Sequence, residues 1–277
     1  MTQAFRYQSK RQKRICWMTD LHLDQADSNS TSQLLKKLEG EEYDMALITG
    51  DVASSQHLSE HLTMLAKACG SRPIYITLGN HDFYGSSITG TRQLIEKVCR
   101  QVPNLHHLSN GGAVDLGNRT ILVGGDGWAD GQWRGRRTKD INSPDHYSIR
   151  DFRGLNKWER LRKMRALGQA SAVSIINRLR PALRFNRHIY VASHIPAFRT
   201  SALFDGKPCD ANHQPHFVHA QLGAILIWSA KSNPSTRFTS LAGHTHSECK
   251  DVVLHNLTSI VGGHRKHRPD IQGILAA

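Results

Sequence analysis

Five times along this chain, a short apolar run ends on a side chain that can bind a metal or carry a proton. Residues 15–19 run into Asp20-Leu21-His22, Met45–Thr49 into Gly50-Asp51, and residues 74–78 into Gly79-Asn80-His81-Asp82. Residues 188–193 then lead to His194, and residues 238–242 to Gly243-His244-Thr245-His246. Runs of this length, rich in β-branched and aromatic residues, read as strands, and glycine at several breaks marks where the backbone turns. Residues 121–123 form a further run, and residues 31–38, 58–68 and 91–102 between the runs show helical spacing. Strands alternating with helices predict an α/β fold, in which ligands bind at the carboxyl ends of strands.

Spacing inside the motifs adds to this. In extended backbone, residues i and i+2 share a face, so Asp20 with His22, and His244 with His246, each offer two donors together. Two carboxylates (Asp20, Asp51), one amide (Asn80) and four imidazoles (His22, His194, His244, His246) are too many for one tetrahedral ion. They suit two ions sharing a carboxylate, with Asp51 the natural bridge because it has two oxygens. The absence of thiolate favours manganese, iron or zinc in a reactive site over a structural zinc. Two such cations, about 3.5–4 Å apart, clamp a phosphoryl group and lower the pKa of a shared water. The expected reaction is therefore attack of metal-bound hydroxide on a phosphate ester. His81, beside Asn80, is left free of metal and placed as general acid for the leaving oxygen, with Asp82 expected to orient its ring.

These elements, D-x-H at 20–22, G-D at 50–51, G-N-H-D at 79–82, the single His194 and G-H-x-H at 243–246, resemble the motifs of the calcineurin-like metallophosphoesterases in content and order. The resemblance spans residues 20–246 and implies a central two-sheet β-sandwich flanked by helices, a four-layer α/β architecture. It further implies one ion held by Asp20, His22, Asp51 and His246, a second by Asp51, Asn80, His194 and His244, and His81 as the catalytic histidine. Protein Ser/Thr phosphatases of that superfamily extend G-D into G-D-x-V-D-R-G and use G-N-H-E. Here the chain reads Gly50-Asp51-Val52-Ala53-Ser54-Ser55 and Gly79-Asn80-His81-Asp82. The missing arginine argues against a phosphoprotein substrate, and the pattern looks more like the small bacterial-type phosphoesterases and phosphodiesterases.

Composition bounds the remaining choices. A chain of 277 residues without an internal repeat reads as a single domain. No stretch approaches the roughly 18 apolar residues of a membrane span, and residues 15–18 are too short for a secretory h-region, so a cytoplasmic location is expected. Five cysteines without a C-x-x-C pair read as free thiols. The net charge of +13 favours an anionic partner such as a phosphate ester. Residues 134–165 carry eleven Lys or Arg against four Asp or Glu. Within and before that segment, residues 128–154 read as a long basic loop, a candidate cover for the active site; from Trp158 a helix is expected until Pro181. The same charge supports a second reading, nucleic-acid binding or nuclease action through residues 134–165. Residues 217–230 read as a helix with His213, His216 and His219 near its start. The other histidines, His57, His61, His106, His107, His146, His188 and His255, read as surface or capping residues, and residues 264–277 as a solvated basic tail.

Overall fold

Apolar runs that are buried on both faces decide the architecture. The structure, a computed structural model, describes residues 12–132, 139, 141–184 and 187–276. In the first sheet β1 (Arg14–Met18), β2 (Met45–Thr49), β3 (Ile74–Thr77) and β4 (Leu105–His107) run parallel, and β13 (Gly273–Ala276) pairs antiparallel outside β1. The second sheet has a parallel centre of β6 (Thr120–Gly124), β7 (His188–Ala192), β10 (Arg237–Ala242) and β12 (Leu257–Val261). Its antiparallel edges are β5 (Val114–Gly117) and β11 (Cys249–Leu254). A small hairpin joins β8 (Leu203–Phe204) to β9 (Lys207–Pro208).

Odd and even residues of each strand face different layers. Ile15, Trp17, Met45 and Leu47 pack between the sheets against Leu122, Tyr190, Ala192 and Leu241. Their neighbours Cys16, Met18, Ala46 and Ile48 point outward to α1 (Ser28–Gly40), α2 (Ser55–Cys69) and α3 (Ile88–Gln101). On the far side Ile121, Val123, Ile189 and Val191 pack against α5 (Lys157–Ala182) and α7 (Ala220–Ser232). A strand buried on both faces needs no polar alternation, which is why the runs are continuously apolar. The result is the expected sandwich flanked by helices.

Several expectations change in detail. Asn156 and Glu159 form a reciprocal cap that starts α5, and the helix ends at Ala182, one residue beyond Pro181. The expected helix over 217–230 is broken at Val218 and His219 into α6 (Gln214–Phe217) and α7. Within 128–154, Trp128, Ala129 and Asp130 are buried, α4 (Asp145–Ser148) and a 3-10 turn at Arg150–Phe152 interrupt the loop, and Arg134, Arg136 and Arg137 lie outside the described residues. The supposed tail contributes β13. His107 and His188 are buried, not at the surface: His107 bonds Asp126 at 2.7 Å and His188 bonds Thr239 at 2.9 Å. Among the described residues no helix is long and apolar enough to cross a membrane.

Leu241 is fully buried between the sheets. Leu241→Ala is expected to cost about 2–5 kcal/mol in urea unfolding, the range for a cavity in a close-packed core; a loss below about 1 kcal/mol would show that the inter-sheet layer is not packed as described.

Candidate active site

Parallel registry carries the motifs to one edge. Beyond the paired ends of β1 and β2, the chain keeps bonding from loop to loop: Asp20 N–H to Gly50 O at 3.1 Å, His22 N–H to Asp51 O at 3.0 Å, Leu23 N–H to Val52 O at 2.8 Å. In the second sheet Gly243 N–H bonds His194 O at 2.9 Å. Asp20, His22, Asp51, Asn80, His81, His194, His244 and His246 therefore meet where the two sheets face each other.

The backbone achieves this differently from the extended form that i and i+2 spacing implied. Asp20, His22, Asp51, His244 and His246 all have left-handed conformations, with φ of 50°, 41°, 55°, 71° and 58°. Each such residue without glycine's freedom costs about 1–3 kcal/mol, a strain that concentrates at functional sites. Two motif glycines have a steric reason: a Cβ on Gly79 would overlap Asp51 Oδ1, and one on Gly243 would overlap Asp20 Oδ2.

Asp51 Oδ2 lies 3.7 Å from His22 Nε2 on one side and 3.3 Å from His194 Nε2 on the other. Toward the first side, His22 Nε2 is 3.2 Å from His246 Nε2, which is 3.5 Å from Asp20 Oδ1; donor atoms of Asp20, His22, Asp51 and His246 lie within 4.8 Å of one another. Toward the second, Asn80 Oδ1 is 3.1 Å from His194 Nε2 and 2.9 Å from His244 Nδ1. Imidazole nitrogens facing each other and an amide oxygen facing two rings are a donor set that a cation satisfies, and the O/N chemistry fits divalent metals.

Main-chain carbonyls orient the rings. His194 Nδ1 is 2.8 Å from Thr49 O and His244 Nε2 is 3.1 Å from His216 O. A carbonyl only accepts, so those nitrogens carry a proton and the opposite ones, His194 Nε2 and His244 Nδ1, face the site. Burial lowers His22 and His244 to about 4, leaving both neutral. Burial opposes charge on His194 too, but the Asp51 carboxylate carries its pKa up to about 10.

Three residues that sequence reasoning passed over complete the surroundings. Asp24 Oδ2 stands 3.2 Å from His81 Nε2. Asp145 Oδ1 accepts from Asn80 Nδ2 at 2.9 Å and from Tyr84 OH at 2.6 Å, which turns the Asn80 oxygen toward the two histidines. His264 packs against His22 and His246, with ring centroids 4.8 and 4.6 Å apart. Asp24 had a signal, the continued alternation of Asp20-Leu21-His22-Leu23-Asp24; Asp145 and His264 had none.

Asp82 does not orient the His81 ring. Its carboxylate accepts main-chain N–H groups from Asp51, Val52, Ala53 and Gly79 at 2.8–3.1 Å, and so binds the loops after β2 and β3 together. Burial and the nearby Asp51 charge raise it to about 7 against the pull of those donors. The motif residues open onto a cleft of about 1030 Å³, walled also by Ile141, Pro144, Phe204, Phe217 and Lys266. His213 and His216 line it as well, whereas His219 is buried with Nε2 2.9 Å from Gly168 O.

Comparison with known proteins gives the family and the fold. The sequence model of the calcineurin-like phosphoesterases matches residues 13–248, and the chain belongs to that family. It is a metal-dependent phosphoric ester hydrolase. Among curated proteins, none matches this sequence. A phosphopantetheinyl hydrolase (PptH) from Mycobacterium tuberculosis has a similar fold, with a TM-score of 0.66 at 12% identity over 92% of this chain and 91% of that one. The protein TT1561 of Thermus thermophilus gives 0.54 at 11% identity (91% and 89% covered), and a dimetal phosphatase from Danio rerio gives 0.50 at 13% identity (91% and 87% covered).

The Asp51 carboxylate favours the protonated form of His194, so a divalent ion placed at His194 Nε2 would have to displace that proton. Metal affinity is expected to rise with pH between about 6 and 9, with proton release visible as a buffer-dependent heat in titration calorimetry. A heat independent of the buffer's ionisation enthalpy would contradict this reading of His194.

Proposed function

We propose that the protein hydrolyses an anionic phosphomonoester or phosphodiester with the help of two metal ions, manganese, iron or zinc. The observation that carries this reading is the place of Asp51 Oδ2 between His22 and His194, with donors gathered on both sides. Asp20, His22, Asp51 and His246 would hold one ion and Asp51, Asn80, His194 and His244 the other. Bound there, the pair supplies positive charge for the phosphoryl oxygens and acidifies a water enough to attack near neutral pH.

The chain's own groups do the rest. His81 lines the cleft, and its Nε2 proton, held by Asp24, is the one a departing oxygen takes. Burial works against charge on His81, but its hydrogen bond to the Asp24 carboxylate and the Asp51 field raise its pKa, which favours the acid form. Asp82 acts through the loops it binds. Ile141, Pro144, Phe204 and Phe217 give the organic part of the ester an apolar wall, and the lining by residues 141–145 supports the reading of the 128–154 loop as a cover. One inter-sheet core and one shared site support a single domain. Five free thiols suit a reducing, cytoplasmic compartment.

The test is hydrolysis of chromogenic monoester and diester by chelator-stripped protein with manganese, zinc or iron restored, and an oligonucleotide as third substrate. Metal-dependent turnover that Asp51→Asn abolishes is expected, and the preferred arm names the substrate class. Turnover unaffected by metal or by Asp51→Asn would defeat the proposal. His81→Ala should lower kcat at least about a hundredfold with metal content unchanged; near-normal turnover would remove His81 from its role. Asp24→Asn removes a charge that raises the His81 pKa, so the alkaline limb of the rate profile should move to lower pH. An unmoved limb would leave Asp24 without influence on that proton.

A further inference from the structure

We propose that His264 is an additional nitrogen ligand at the metal position formed by Asp20, His22, Asp51 and His246, an inference that rests on the two-ion reading above. The topology brings it there. β12 lies parallel to β10 with Ala242 opposite Val261, so the chain leaving β12 emerges at the edge that presents His244 and His246. Gly262 N–H bonds Ala242 O at 2.9 Å, and His264 N–H bonds His246 O at 3.2 Å, which fixes the two histidines side by side. Gly262 and Gly263 allow the approach, since a Cβ on either would press on Thr19 or Glu248. Gln272 then clamps the turn with bonds of 3.0 and 2.8 Å to the Gly263 N–H and C=O.

The ring is prepared as His194 and His244 are. His264 Nδ1 lies 2.7 Å from Asp20 O, an atom that can only accept, so Nδ1 carries the proton and Nε2 keeps its lone pair. Nitrogen donors of His22, His246 and His264 fall within 4.8 Å of one another. Two nitrogens on one ion at about 2.1 Å stand up to about 4.2 Å apart, so small ring movements bring all three onto a single cation.

Cobalt(II) titration of the stripped, full-length protein tests this, followed by visible absorption, with His264→Asn and His264→Ala. Asparagine keeps a side-chain N–H for the Asp20 carbonyl and deletes the outer nitrogen; alanine deletes both. Wild type is expected to take up two ions, and His264→Asn to bind one of them at least about tenfold more weakly with a shifted absorption band. His264→Ala should do the same if its far-UV dichroism matches wild type, and if it does not fold the asparagine variant decides alone. Wild-type affinity and spectrum in His264→Asn would overturn the proposal and leave His264 as a clamp on the Asp20 carbonyl. Fewer than two ions on wild type would overturn the two-ion reading itself and this inference with it.

Discussion

The Asp82 carboxylate, buried and surrounded by four main-chain N–H groups, is the interaction on which the site depends. Without it the loops after β2 and β3 would have orphaned donors in a dry interior, where each costs about 1–3 kcal/mol. With it, Asp51 is presented at a fixed height, and Asp51 Oδ1 in turn accepts the His81 N–H at 2.8 Å. The proposed bridging carboxylate, the proposed amide ligand and the proposed acid are thus set by one acceptor that never needs to touch substrate.

A second layer of order comes from main-chain carbonyls. Thr49, His216 and Asp20 each take one ring N–H, so the orientation of three histidine rings is decided by backbone and not by solvent. Asp145 does the equivalent for the Asn80 amide. Acceptors that cannot titrate make good orienters, because their direction does not change with pH.

Much of this could be read from the sequence because strand-end chemistry is local. Asp20, Asp51, Asn80 and His194 each follow their own apolar run, and those runs, buried on both faces, form sheets whose carboxyl ends meet. What escaped was set by distance in the chain. β11 is half exposed and β13 sits at an edge, with weak apolar signals, and β13 forms only against β1, at the opposite end of the sequence. His264 sits among basic residues that look like a solvated tail, and only the pairing of β12 with β10 reveals its neighbours. Left-handed conformations at Asp20 and His244 could not be anticipated, since neither residue type nor spacing demands them. The role given to Asp82 failed because sequence adjacency to His81 says nothing of where a carboxylate turns when four amides lie behind it.

Each proposed ion position draws on both sheets. His246 of the second sheet joins Asp20, His22 and Asp51 of the first, and His194 and His244 join Asp51 and Asn80. The site is therefore a clasp across the sandwich. Opening the seam between the layers and emptying the site become one event, so occupancy and resistance to unfolding rise and fall together.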